Sequence, residues 1–295
     1  MDKNIDFSSK FKSANILSLL IFTMSVLFIL FKGLNYGIDF KGGTLIELRT
    51  DSKNVNISEI RSSLNSMNLG DVNVKEFGKE GDYLIKVEQK TENNNQLIPE
   101  IKKTLINKLN AEINFRRVEN VGPKVSSELL QSGIIAISLS LVAMLFYIWI
   151  RFEWQFSIGA VAALIHDIII TIGIFSFLKI EFNLSIIAAL LTIIGYSMND
   201  TVVVYDRIRE NLRKYKQMEL FDLINKSLNE TMSRTLLTSV TTLIALFSLY
   251  FLGGEVLKGF TFAMILGVFI GTYSSVFIAS QIILYLNVKR DWSKN

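Results

Sequence analysis

The sequence describes an α-helical polytopic membrane protein with six transmembrane helices and a small α+β ferredoxin-like extracytoplasmic domain. Three observations predict this. Half of the 295 residues are hydrophobic and the mean hydropathy is +0.36, too apolar for an ordinary soluble domain. Apolar runs long enough to cross a bilayer as helices recur at about 15–33, 132–150, 156–178, 184–205, 233–252 and 259–286. A long hydrophilic stretch, 36–130, separates the first run from the other five.

The first element, 1–35, is a short tail followed by a span. Lys3, Lys10 and Lys12 precede the apolar run and no small-residue cleavage site follows it. It therefore reads as a retained anchor rather than a signal peptide.

The domain at 36–130 reads from periodicity. "GTLIELRT" (43–50) alternates as a strand, and "ISEIRSSLNSM" (57–67) has helical spacing at Ile57, Ile60 and Leu64. "DVNVKEF" and "DYLIKVEQ" alternate again. "LIPEIKKTLINKL" (97–109) repeats apolar residues at Leu97, Ile101, Leu105 and Leu109, and "INFRRVENVG" closes as a strand. The order β-α-β-β-α-β is the ferredoxin-like pattern. Gly42 and Gly43 in "DFKGGT" predict a tight turn or a close backbone approach.

The remaining spans form a five-helix bundle, 131–288, with a loop at 206–232 and a tail at 289–295. Basic residues set the orientation. Arg207, Arg209, Arg213, Lys214, Lys216, Lys226 and Arg234 crowd the segment after the fourth span, and Lys289, Arg290 and Lys294 follow the last. The short loops "KIEFN" and "GGEVLK" carry one lysine each. The excess marks the cytoplasmic side, which puts both termini inside and the domain outside. The loop continues the fourth span as a helix. Leu220, Phe221, Leu223, Ile224 and Leu228 then share one side, which predicts an amphipathic segment on the membrane surface in preference to a partner-binding helix.

Composition closes off several chemistries. Without cysteine there is no disulfide, thiolate metal site or thiol nucleophile. A lone histidine, His166, argues against a histidine-built zinc site. No G-x-x-x-x-G-K-[ST] loop occurs, so ATP hydrolysis is not expected. Neither a metal nor an organic cofactor is predicted, and no enzymatic constellation is present.

Chemistry is expected instead at charges inside the apolar runs. A charge at the bilayer centre costs about 2.5–3.5 kcal/mol on insertion scales, so such residues face the bundle and find partners. Asp167 lies mid-span beside His166, Asp200 lies in the inner half of the fourth span, and Arg234 opens the fifth. At about 100° per residue, Thr192, Tyr196, Asn199 and Asp200 share one face. Arg234, Thr238, Thr241, Thr242 and Ala245 form a second stripe. Two readings follow. The stripes line a hydrated proton or ion path, or Asp200 and Arg234 are a structural ion pair and the threonines bond to their own backbone. Gly267 and Gly271 make a small-residue face with Ser274, Ser275 and Ala279, for close packing within the chain or against another subunit.

Several blocks resemble one family. They are "GIDFKGGT" (37–44), "VGPKVSSEL" (121–129), "ALIHDIIITIGIFS" (163–176), "GYSMNDTVVVYDRIREN" (195–211), "SRTLLTS" (233–239) and "GGEVLKGF" (253–260). The chain is similar to SecF, of the SecD/SecF family of bacterial Sec protein-translocase subunits. The resemblance implies an RND-like bundle working with SecD. It implies use of the proton-motive force to promote preprotein translocation across the cytoplasmic (inner) membrane, after SecA and the SecYEG channel have begun it. YajC and YidC are further implied partners. Asp200 and Arg234 match the family's proton-pathway residues, Asp167 falls in a family motif, and Asp39, Gly42 and Gly43 belong to its opening motif.

The same residues bear on three rival classes. An RND-type small-molecule or lipid exporter subunit needs a large apolar outer pocket. An intramembrane aspartyl protease needs two carboxyls sharing a site, and the sequence around Asp200, "SMND", does not fit one. In a non-energised scaffold the charges would only fix packing.

Overall fold

The computed structural model describes residues 5–50, 55–67, 69, 72–76, 80–87, 97–109, 113–286 and 288. Lys3, Asp71, Phe77, Glu88, Gln89 and the 289–295 tail with Lys289, Arg290 and Lys294 lie outside the described residues.

In chain order, a 3-10 turn (Ser8–Lys10) leads into α1 (Phe11–Lys32), then β1 (Asn35–Tyr36), α2 (Ile38–Lys41) and β2 (Gly43–Thr50). Next come α3 (Ile57–Asn65), β3 (Val72–Glu76), β4 (Asp82–Val87), α4 (Leu97–Leu109) and β5 (Ile113–Val121). The bundle contains α5 (Pro123–Arg151), α6 (Trp154–Leu178), α7 (Leu184–Lys214) and α8 (Leu220–Leu252), with the two-residue β6 (Glu181–Phe182) before α7. The last span is α9 (Glu255–Ser274), a π turn (Ser275–Ala279) and α10 (Ser280–Tyr285). Among the described residues, six helices are long and apolar enough to cross a membrane.

These elements divide into two units, Met1–Asn35, Ile135–Ile180 and Ser185–Asn295 in one, Tyr36–Ile134 and Glu181–Leu184 in the other. In the helical unit the buried share of the apolar window separates two classes. It is 61% for α6 and 56% for both α7 and the last span, against 11% for α1, α5 and α8. The first three helices are therefore central and the others flank them. Polar residues on the central helices must find partners inside the protein.

The glycine face of the last span packs within the chain, settling the alternative left open by the sequence. A Cβ on Gly267 would lie 2.3 Å from Ile193 Cγ1, and one on Gly271 would lie 3.0 Å from Ser197 Cβ. The face is the α7–α9 seam, where small residues allow helices to approach closely.

The loop expected at 206–232 is a helical hairpin. α7 continues to Lys214 and α8 starts at Leu220. Ile208, Leu212, Leu223, Ile224 and Leu228 are fully buried, which corrects the membrane-surface reading: Leu223, Ile224 and Leu228 are covered by protein, and of that apolar side Leu220 is half-buried and Phe221 exposed. Buried Asn211 donates to Ser227 Oγ at 2.9 Å and to Glu230 Oε2 at 2.7 Å. Arg207 donates to the same Glu230 oxygen at 2.6 Å. The chain before α1 is also held there. Asn225 Oδ1 accepts from the Phe7 amide at 2.8 Å, and Asn229 bonds both the amide and the carbonyl of Ile5 at 2.8 Å.

The other unit is an antiparallel sheet in the order β3-β4-β2-β5. This is the strand order that a β-α-β-β-α-β chain takes in a ferredoxin-like fold. Ile46, Leu48 and Ile85 of the sheet are buried with Ile60 and Leu64 of α3 and Ile101 and Leu105 of α4. The Tyr83 hydroxyl donates to Val55 O at 2.7 Å. Burial raises the Tyr83 pKa above its ordinary value, which keeps that donor protonated. The paired glycines turn the chain from α2 into β2 with φ of 79° at Gly42 and 142° at Gly43, angles that L side chains rarely adopt. Just before them, Asp39 Oδ2 accepts the Leu184 amide at 2.8 Å. That amide opens α7 and has no partner within its own helix.

Candidate functional site

Asp200 lies 16 residues into α7, about 24 Å from its start at a rise of about 1.5 Å per residue. It is 8% exposed. Two hydroxyls from different helices donate to it, Thr235 Oγ1 of α8 to Oδ1 at 2.5 Å and Ser275 Oγ of the π turn to Oδ2 at 2.5 Å. One carboxylate thus ties three spans together.

Asp167, on α6, is fully buried. Its Oδ2 accepts from Ser197 Oγ of α7 at 2.7 Å and from Ser274 Oγ of α9 at 2.8 Å. Its Oδ1 lies 3.1 Å from Nδ1 of His166. The imidazole stacks near Phe22 and Tyr273, and its Nε2 has no partner among the described residues. The two acids are linked through adjacent residues, since Ser274 serves Asp167 and Ser275 serves Asp200. They share no hydrogen bond among the described residues, unlike the coupled pair that aspartyl proteolysis needs.

The sequence placed Arg234 against Asp200, and the structure places Thr235 there. Arg234 is exposed and forms no ion pair with Asp200 among the described residues, although its charge still acts on the carboxylate. The reason is helical phase. The inward face of α8 is Thr231, Thr235 and Ser239, four residues apart and all buried, and Arg234 is one position off it. The threonines of the expected lining follow the second of the two readings left open by the sequence. Thr238, Thr241 and Thr242 donate to carbonyls of their own helix. Asn199 and Thr192 are exposed. Of the proposed lining only Tyr196 joins the inner network. Its hydroxyl approaches Ser239 Oγ at 3.5 Å, and Ser239 lies 2.7 Å from Thr272 Oγ1.

Sequence reasoning passed over Thr235 and Ser197, and read Ser274 and Ser275 only as small residues of a packing face. Their signal was present, since each lies on a central or inward helix face at the level of an acid. An ionised carboxylate only accepts hydrogen bonds, whereas a protonated one also donates, and a hydroxyl rotates to serve either. A proton gained or lost at Asp200 therefore changes which bonds hold α7, α8 and the π turn together. No cluster of three or more metal-ligating side chains exists among the described residues.

Comparison with known proteins bears on this arrangement. Residues 101–289 match the family model described as protein export membrane protein SecD/SecF, C-terminal, and residues 27–53 match the SecD/SecF GG motif. The chain is 49% identical to the protein translocase subunit SecF of Cereibacter sphaeroides, over 89% of this chain and 83% of the relative. It is 42% identical to the SecF of Vibrio alginolyticus, over 98% of this chain and 92% of that one. Among solved structures it is similar to SecDF, a translocon-associated membrane protein from Thermus thermophilus. The TM-score is 0.85 with 33% identity, covering 96% of this chain and 38% of the SecDF chain. The chain therefore spans well under half the length of that neighbour.

Proposed function

The chain belongs to the SecD/SecF family of protein export membrane proteins, as a SecF translocase subunit, and on that premise we propose that proton traffic at Asp200 drives its part in preprotein export. It works with a SecD-type companion in the bacterial cytoplasmic membrane, with both termini in the cytoplasm. SecYEG and SecA begin the translocation that it promotes, and YajC and YidC join the same assembly.

The observation that carries the reading is the buried Asp200 carboxylate held by Thr235 and Ser275. When Asp200 is ionised, both hydroxyls donate to it and Arg234, nearby on α8, is drawn inward. When it is protonated, the attraction lapses and one of the two bonds reverses. Each change favours a different packing of α7, α8 and the last span, which the outer domain follows as it holds or releases the exported chain. One elementary charge crossing the membrane supplies about 2.3 kcal/mol per 100 mV, enough to shift a two-state element about fiftyfold. Asp167, with His166, is a second carboxylate on the same path, reached through Ser274 and Ser275.

The test is Asp200→Asn in proteoliposomes containing the complete export machinery. Asparagine keeps the shape and loses the titration. Co-purification with the SecD-type companion is retained, and export with a proton gradient falls to the rate seen without one. Undiminished stimulation by the gradient would refute the assignment.

A further inference from the structure

α5 ends at Arg151, and the last turns of α7 carry Asp206, Arg209, Glu210, Arg213 and Lys214. These six side chains line one open pocket of about 550 Å³. Four of them are basic, and Arg213 and Arg151 both act on Arg209 as like charges. The chain holds this repulsion in place by other means. Arg209 donates to the Arg151 carbonyl at 3.1 Å, and both guanidiniums stand over the buried Phe152 ring, at 5.2 Å for Arg151 and 5.7 Å for Arg209. The two lining acids, with Glu153 acting on Arg209 from beside the pocket, only partly compensate. Asp206 lies 3.6 Å from Arg151, and Glu210 is engaged by Arg207 at 2.6 Å. Cations gathered around one opening favour an anion there.

The surroundings identify the kind of anion. The pocket starts where the apolar run of α5 stops, and Ile150, next to Arg151, is 85% exposed. Tyr147, Trp149 and Trp154 are exposed on the same stretch of chain. Aromatic residues of this kind settle at the boundary between hydrocarbon and headgroups. We propose that this pocket binds the phosphodiester headgroup of an anionic phospholipid, with the acyl chains lying along the exposed apolar side of α5. Arginine forks match phosphate oxygens in pairs, and basic pockets between spans at this level suit such headgroups.

The full chain, with its companion subunit, would be placed in nanodiscs of phosphatidylcholine containing a minority of phosphatidylglycerol. Lipid retained after extraction is then read by native mass spectrometry. The expected result is preferential retention of phosphatidylglycerol that excess inorganic phosphate does not displace. Retention weakens about fivefold for each basic side chain neutralised, in Arg213→Gln and in the exposed Lys214→Gln, and is unchanged in Lys12→Gln on the N-terminal segment. Equal retention of the two lipids, or undiminished retention in both pocket variants, would overturn the proposal. Displacement by inorganic phosphate would also overturn it, by identifying a site for a soluble anion.

Discussion

Ile193 and Gly267 meet so closely that a single methyl group is decisive. Gly267→Ala drives a Cβ into Ile193 and should cost about 1–3 kcal/mol through overpacking. Gly195→Ala, with nothing within 4 Å of the added carbon, should be neutral. Thermal unfolding of the two variants in detergent separates them. A second pair of substitutions probes the hydroxyls. Thr235→Val removes one of the two donors to Asp200 at similar volume, and Thr235→Ser restores it. Gradient-driven export should fall with valine and recover with serine, in a reconstituted translocation assay. Both acids were legible in the sequence, because a carboxylate in an apolar run stands out whatever surrounds it. Their hydroxyl partners were not. Serine and threonine are common in membrane helices, and one step along α8 turns a side chain by about 100°, enough to exchange Thr235 for Arg234.

Among the elements, the α7–α8 hairpin and the start of α7 make separable predictions. Asn211→Ala removes two hydrogen bonds at a buried position, while Arg207 still holds Glu230 and Ser227 still donates to Leu223 O, and should cost about 0.5–1.5 kcal/mol. Faster proteolysis within 215–219 would report it. Asp39→Ala leaves the Leu184 amide without its acceptor and should cost about 1 kcal/mol, whereas Asp39→Asn should lose much less. Amide hydrogen exchange at the start of α7 would register the difference. The sequence showed 220–228 as amphipathic, and that was correct. What covers the apolar side is a tertiary fact that periodicity does not contain: a protein surface and a membrane surface ask for the same stripe. The ferredoxin-like domain posed no such ambiguity. Its strands alternate and its helices repeat apolar residues every three or four positions, so both periods lead to the one buried cluster of Ile46, Ile60, Ile85 and Ile101.

For the chain taken entire, the basic residues after α7 make the orientation testable. Because the sequence contains no cysteine, a single introduced thiol can be read without background. Lys75→Cys in β3 should react with a membrane-impermeant maleimide in intact spheroplasts. Lys216→Cys, between α7 and α8, should react only after permeabilisation. The reverse pattern would invert the proposed topology. The number of spans followed from hydropathy alone. The division into central and flanking helices did not, because lipid and protein interior are both apolar and leave the same mark on a sequence. The π turn within the last span has a mechanical corollary. It holds one more residue per turn than the α-helix around it. Tightening it to α geometry would swivel everything beyond it, from Ser280 onward, by about 100° relative to Ser275 and its acid, so this helix is built with a ratchet tooth at the place where the carboxylate grips it.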